Sequence, residues 1–248
     1  MSNLYNSLAQ VYEAMYKTFI DYDAEFELYK QLLVKYHCRS LVEIGCGTGN
    51  LATRFTENNF EYTGLDLSAE MLSIAKMNNP ASKFLLSGMQ DFNLPGLVEA
   101  AIITGRTISY LLTNKDVSES FSCINKNLKP GGIICFDFID ANKFIPLITS
   151  EGVWHSADVG EKIFKRESFW SLNLSQGWGI DWLSVFYEAS ADGALIKICE
   201  DESTIRAFTK DEILLFLQLA GFTVKEIMPR PSYAFDTFVI VAEKRIDK

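Results

Sequence analysis

The chain has 248 residues, 48% of them hydrophobic, which suits one large domain or a domain with an insertion and excludes a disordered segment. Acidic residues outnumber basic ones by 32 to 23 for a net charge of -9, and the basic residues are scattered rather than gathered into a stripe. This argues against nucleic acid as a partner and fits neutral or cationic small molecules, or serves solubility alone. The five cysteines (Cys38, Cys46, Cys123, Cys135, Cys199) are odd in number and never spaced C-x-x-C, so they read as reduced thiols of a cytoplasmic protein.

The N-terminal stretch "MSNLYNSLAQVYEAMY" lacks a basic region followed by an apolar core, and no later apolar run is long enough to cross a bilayer, so no membrane partner is expected. From Ser40 to Asp137 apolar segments alternate with helical patterns, the signature of βαβ units and a parallel sheet. "SLVEIG" reads as the first strand and "NLATRFTENN" as a helix. "FEYTGLDL" gives the second strand and "SAEMLSIAKMN" a helix introduced by Ser68. "KFLLS" and "EAAIIT" are the third and fourth strands. "NKDVSESFSCINKNL" is a helix opened by Thr113 or Asn114, and "GGIICFDF" is the fifth strand, after the turn "KPGG".

From Ala141 to Ala207 the texture changes to three runs rich in β-branched and aromatic residues, separated by the turns "SQGWG" and "ADGA". A helix "TKDEILLFLQLA" follows, with Thr209 and Glu212 in a capping-box pattern and Gly221 at its end; "FTVKEIM" and "AFDTFVIVAEK" are the last strands. The expected fold class is α/β: a doubly wound, mostly parallel seven-stranded sheet of Rossmann-like type with an antiparallel β insertion after the fifth strand. Residues 1–140 and 208–248 would form the core with an N-terminal helical cap, and residues 141–207 a substrate lid or a dimer contact.

The stretch "LVEIGCGTGN" carries three glycines at alternate positions, Gly45, Gly47 and Gly49, directly after the first strand. Glycines there allow positive φ and close approach of a ligand. In an open parallel sheet ligands sit beyond the carboxyl ends of the strands, and Asp66 in "GLDLS" follows the loop by roughly the ~20 residues expected of a ribose carboxylate. The competing role for Asp66, a cap for the next helix, is already filled by Ser68. A phosphate-binding P-loop needs a lysine after its last glycine, where this chain has Asn50, and the dinucleotide spacing G-x-G-x-x-G is not met.

The pattern E-x-G-x-G-x-G, here Glu43, Gly45, Gly47 and Gly49, closely resembles the first motif of class I S-adenosylmethionine-dependent methyltransferases. "GLDLSAEML" resembles the second motif and "LKPGG" before "IICFDF" the turn into the fifth strand. "YNSLAQVYEAMY" followed by "DYDAEF" resembles the N-terminal cap of small-molecule methyltransferases, where tyrosines close over the cofactor's methionine end. The resemblance spans nearly the whole chain. It implies S-adenosyl-L-methionine as cofactor and no metal, in keeping with only two histidines, His37 and His155.

The cofactor contacts that the resemblance implies are Glu43, Gly45, Cys46, Gly47 and Gly49 in the loop, then Asp66, Leu67, Met71 and Thr104. Tyr12 and Tyr22 would close over the cofactor, and Gly88, Met89 and Gln90 would stand at its adenine end. The chemistry agrees: this cofactor has no phosphate, glycine amides suit its carboxylate, Glu43 can orient its ammonium, and its sulfonium favours aromatic faces. One departure stands out, because the family usually places an Asp after the third strand and this chain has Gly88 in "LLSGMQDF". Gln90 or Asp91 would then have to accept from the adenine amino group, or Asp91 simply caps a turn.

Methyl transfer is an in-line displacement, so positioning dominates. Tyr110, Tyr16 and Arg106 are the candidate catalytic residues. In the loop "TGRTISYLL", Arg106 would bind an anionic group unless it pairs with a surface carboxylate, Thr107 and Ser109 would orient the substrate, and Tyr110 would relay a proton. His155 is the other candidate base, or an exposed loop histidine without a role. The expected partner is a small-molecule methyl acceptor, with an amine nitrogen favoured by analogy with methyltransferases of nucleotide-linked amino sugars, and the insertion offers a homodimer contact. Two other readings stay open: a catalytically inactive S-adenosylmethionine-binding protein, and a nicotinamide-dependent oxidoreductase, which the absence of Tyr-x-x-x-Lys argues against.

Overall fold

Apolar strands and locally capped helices alternate along the first half of the chain. The computed structural model describes residues 9–190, 193–231 and 235–246. Helices α1 (Ala9–Lys17) and α2 (Tyr22–Lys35) precede β1 (Ser40–Ile44), α3 (Ala52–Glu57), β2 (Glu61–Asp66) and α4 (Ala69–Asn78). Next come β3 (Lys83–Leu86), β4 (Val98–Ile103), α5 (Asn114–Asn127) and β5 (Leu128–Asp137). A short helix α6 (Ala141–Phe144) leads to β6 (Val153–Val159), β7 (Lys162–Asn173), β8 (Trp178–Ala189) and β9 (Leu195–Ala207); α7 (Lys210–Leu219), β10 (Phe222–Arg230) and β11 (Thr237–Lys244) complete the order.

The helix starts are set by side chains that take up otherwise orphaned N–H groups. Ser68 accepts from the Met71 N–H. Thr113 with Asp116, and Thr209 with Glu212, form reciprocal capping boxes. A seven-stranded sheet runs in the order β10-β11-β5-β4-β1-β2-β3, parallel except where β11 runs antiparallel to both β5 and β10. Successive residues of each strand serve opposite layers, as side-chain alternation requires. Leu41, Ala100, Ile102, Ile133 and Cys135 pack with α2 and α3, while Val42, Ala101, Ile103, Ile134 and Phe136 pack with α5 and α7. The sheet is therefore doubly wound, and its strand order reverses beside β1.

The insertion holds a second sheet, β6-β7-β8-β9, antiparallel throughout. It has four strands rather than the three expected. The additional one, "VWHSADV", is an edge strand that among the described residues pairs with β7 alone. His155 accordingly sits half-buried on a strand and not in an exposed loop. Helix α1 lies on this second sheet, where Val11 and Met15 join Ala157, Phe164 and Phe186 in one apolar cluster.

Candidate active site

A cavity of about 720 Å³ opens at the carboxyl ends of the parallel strands. Its walls come from the ends of five of them: Ile44, Gly45 and Gly47 at β1, Asp66 to Ser68 at β2, Ser87 and Met89 after β3, Gly105 to Thr107 with Ser109 and Tyr110 after β4, and Ile139 after β5. A smaller cavity of about 90 Å³ adjoins the same glycine loop, and Tyr16 lines both.

The three glycines of the loop do different work. Gly45, at φ 76°, is where the loop after β4 comes closest: a Cβ there would lie 2.4 Å from Thr107 Cγ2. Gly47, at φ 53°, has nothing within 4 Å of its Cβ position and lines both cavities, so a ligand can approach its backbone closely. Gly49 turns away from both cavities. Its Cβ position meets Asn79 Nδ2 at 2.8 Å and Ala75, so it allows the loop to pack on α4. Cys46 lines the smaller cavity, and burial pushes its thiol well above the usual range.

Asp66 anchors the loop as well as facing the cavity. Its Oδ2 accepts from the Gly47 N–H at 2.8 Å, and its Oδ1 from the Ser68 N–H at 2.9 Å. Each carboxylate oxygen keeps a further lone pair for a ligand hydroxyl. Burial raises its pKa, and the backbone amides of Ser68, Gly47 and Leu67 oppose that shift. Beneath the loop Glu43 accepts from Tyr62 Oη at 2.6 Å and Thr104 Oγ1 at 2.9 Å, and burial lifts its pKa to about 7. Leu67 and Met71 line the larger cavity, and Tyr22 and Thr104 the smaller. Tyr12 falls within α1, but its side chain lies outside the described residues.

At the end of β3 the cavity wall is made by Ser87 and Met89; Gly88 and Gln90 are not part of it. The Cβ position of Gly88 is instead 3.2 Å from Gln90 Oε1 and 3.3 Å from Asp91 Oδ1. Arg106 lines both cavities and is buried, so it is no surface ion pair. It adopts the left-handed backbone conformation, φ 60°, held by its N–H donating to Asp137 Oδ1 at 2.9 Å, and its guanidinium lies 4.5 Å over the Phe235 ring. Thr107, Ser109 and Tyr110 line the larger cavity, with Tyr110 39% exposed.

The other half of the larger cavity is roofed by Trp170 and Trp182, aromatics of the insertion expected as a lid, by the candidate base His155, and by Phe19, Phe144, Arg166, Glu202 and Ser203, which the sequence pattern did not single out. Alternation in β7 and β8 was the available signal, because it puts Arg166, Trp170 and Trp182 on one face.

These surroundings fit S-adenosylmethionine. The smaller cavity gathers Glu25, Glu43 and Asp137 with Arg106 and Arg230, a mixed-charge setting for a zwitterionic amino-acid end. The cofactor half of the larger one offers apolar walls, an open glycine backbone and a carboxylate, and no lysine for phosphate. Among the described residues no group of three or more His, Cys, Asp or Glu could hold a metal, and no helix is long and apolar enough to cross a membrane.

Comparison with known proteins agrees. A family profile described as "Methyltransferase domain" matches residues 41–132. The chain is 39% identical over 200 residues to "Putative methyltransferase YqeM" of Bacillus subtilis, covering 75% of this chain and 74% of that one. It is 25% identical over 193 residues to a dTDP-3-amino-3,4,6-trideoxy-alpha-D-glucopyranose N,N-dimethyltransferase of Streptomyces venezuelae, covering 78% and 79% of the two chains. In fold it matches the crystal structure of an S-adenosylmethionine-dependent methyltransferase from Clostridium acetobutylicum with a TM-score of 0.78 at 16% identity, over 98% of this chain and 100% of that one. The chain belongs to the class I S-adenosylmethionine-dependent methyltransferases.

Proposed function

We propose that the chain transfers a methyl group to the nitrogen of a small amine held between the parallel sheet and the antiparallel one. The observation that carries this reading is the shape of the larger cavity: its far half is walled by Phe19, Phe144, Trp170 and Trp182 and is sized for a small molecule rather than a protein or nucleic acid segment. The similarity to amino-sugar N,N-dimethyltransferases supports nitrogen as the acceptor atom. S-adenosylmethionine, when bound, supplies an electrophilic methyl on a sulfonium.

The chain's own residues then bind, orient and keep out water. Gly45, Gly47, Asp66, Leu67, Met71 and Met89 are the proposed cofactor contacts in the larger cavity, and Tyr22, Glu43, Cys46 and Thr104 frame the methionine end in the smaller. Tyr16, at the junction of the two cavities, sets a π-face beside the reacting centre, where positive charge is favoured. An amine lone pair needs no strong base before attack, so Tyr110 need only pass on the proton lost afterwards, and Arg106 orients the acceptor. Residues 141–207 act as a substrate lid, a role supported by the cavity and α1 occupying the inner face of their sheet. A cytoplasmic setting is supported by the five free thiols.

The test is a panel of small amines and matched alcohols assayed for release of S-adenosylhomocysteine. Turnover confined to amines is expected. Turnover of alcohols alone overturns the choice of nitrogen, and binding of cofactor without turnover of any acceptor would restore the inactive-protein reading.

A further inference from the structure

Arg166 is the unusual residue of the roof. It lies in the middle of β7, paired across the sheet with His155 on β6 and Phe186 on β8, and is 3% exposed, yet it lines the larger cavity. Its guanidinium stands 5.5 Å over the Tyr16 ring and 5.5 Å over the Trp182 ring. Its Nη2 donates to His155 Nδ1 at 3.3 Å; among the described residues Nε and Nη1 have no hydrogen-bond partner and no carboxylate lies within ion-pair reach. A buried, unpaired guanidinium is costly to keep.

The groups around it are donors too. Because Arg166 donates to Nδ1, the neutral His155 ring carries its proton on Nε2 and is itself a donor. Burial and the neighbouring guanidinium hold the imidazole down to about 4, so it stays neutral across the physiological range. Trp182 Nε1, likewise buried, has no acceptor among the described residues. Although the chain is acidic overall, this chamber carries Arg106 and Arg166 against the single roof carboxylate Glu202.

We propose that Arg166 receives an oxyanion of the methyl acceptor, a carboxylate or a phosphate, so that the substrate is an amine with a second, anionic end. The planar fork of arginine suits either group. This rests on the far half of the cavity being the acceptor chamber. It assigns His155 to the grip on that anion rather than to proton removal.

Trp182 and Trp170 beside the site supply the readout. Tryptophan fluorescence of the full chain, saturated with S-adenosylhomocysteine, is titrated with inorganic phosphate and separately with acetate at ionic strength held constant by chloride. A saturable response to one anion is expected in the wild type and names the group. Arg166→Gln should weaken it by about tenfold or more, the scale of losing a charge-assisted pair, and leave the affinity for S-adenosylhomocysteine within about twofold. No saturable response to either anion, or an unaltered response in Arg166→Gln, overturns the proposal. Should Arg166→Gln lose S-adenosylhomocysteine binding and so its fold, His155→Phe serves instead: loss of the donor beside the guanidinium should weaken the anion several-fold, and an unchanged affinity overturns the proposal. Anion binding without turnover of any amine would sink the amine reading and leave the Arg166 site standing.

Discussion

Asp66 accepts from two backbone amides and faces the cavity, so it shapes the glycine loop and is placed to meet a ligand there. Asp66→Ala should weaken S-adenosylhomocysteine binding by about 1 to 3 kcal/mol, measured by calorimetry, and an unchanged affinity would remove Asp66 from the ribose. Glu43 makes a prediction about pH. Its folded pKa of about 7 lies above the ordinary 4.5, so between these values the folded chain keeps a proton that the unfolded chain gives up. Stability from this residue is present below pH 4.5 and is lost as pH rises through about 7. Glu43→Gln is free of that loss. Relative to the wild type it should gain up to about 3 kcal/mol between acid and neutral pH in urea unfolding, and a difference flat with pH would contradict the shift.

Among the elements, the glycine loop separates two effects that motif recognition merges. Gly45→Ala places a methyl against Thr107 in a left-handed backbone and should cost about 2 to 4 kcal/mol of stability. Gly47→Ala meets nothing in the protein and should cost only about 1 to 2 kcal/mol, while losing most of its cofactor affinity. Thermal unfolding and calorimetry on the pair distinguish them; equal stability losses would refute the assignment. The parallel strands and the helix starts were legible because their causes are local: apolar runs, and caps such as Ser68, Thr113 and Thr209. Strand β6 was not, since its only pairing partner is β7 and its outward Trp154 and inward His155 mean little without it. Arg166 was passed over for the same reason. A charge in an alternating strand reads as solvent-facing until the register sets it inside. Gly88 and Gln90 were chosen by position after β3; the Cβ position of Gly88 meets Gln90, Asp91 and Leu67, and of these only Leu67 lines the larger cavity.

Over the whole molecule, one ionic cluster ties the N-terminal region to the core. Arg230 on β10 pairs with Glu25 on α2, and its Nη1 donates to Asp137 Oδ2 at 2.9 Å at the end of β5. Arg230→Met would strand a buried Asp137 and should cost about 3 to 5 kcal/mol in urea unfolding, a loss that adding Asp137→Asn should largely restore. A loss below about 1 kcal/mol would show the cluster to be solvated.

The seating of α1 bears on how acceptor choice could be moved between relatives. Val11 and Met15 bury their side chains against Phe164 and Phe186, so the segment nearest the start of the chain is a structural companion of residues some 150 positions later. A transplant of residues 141–207 alone would leave α1 facing a foreign surface. On the proposed lid role of residues 141–207, the unit of acceptor recognition is split in sequence, and a working chimera has to exchange α1 and the four-stranded sheet together.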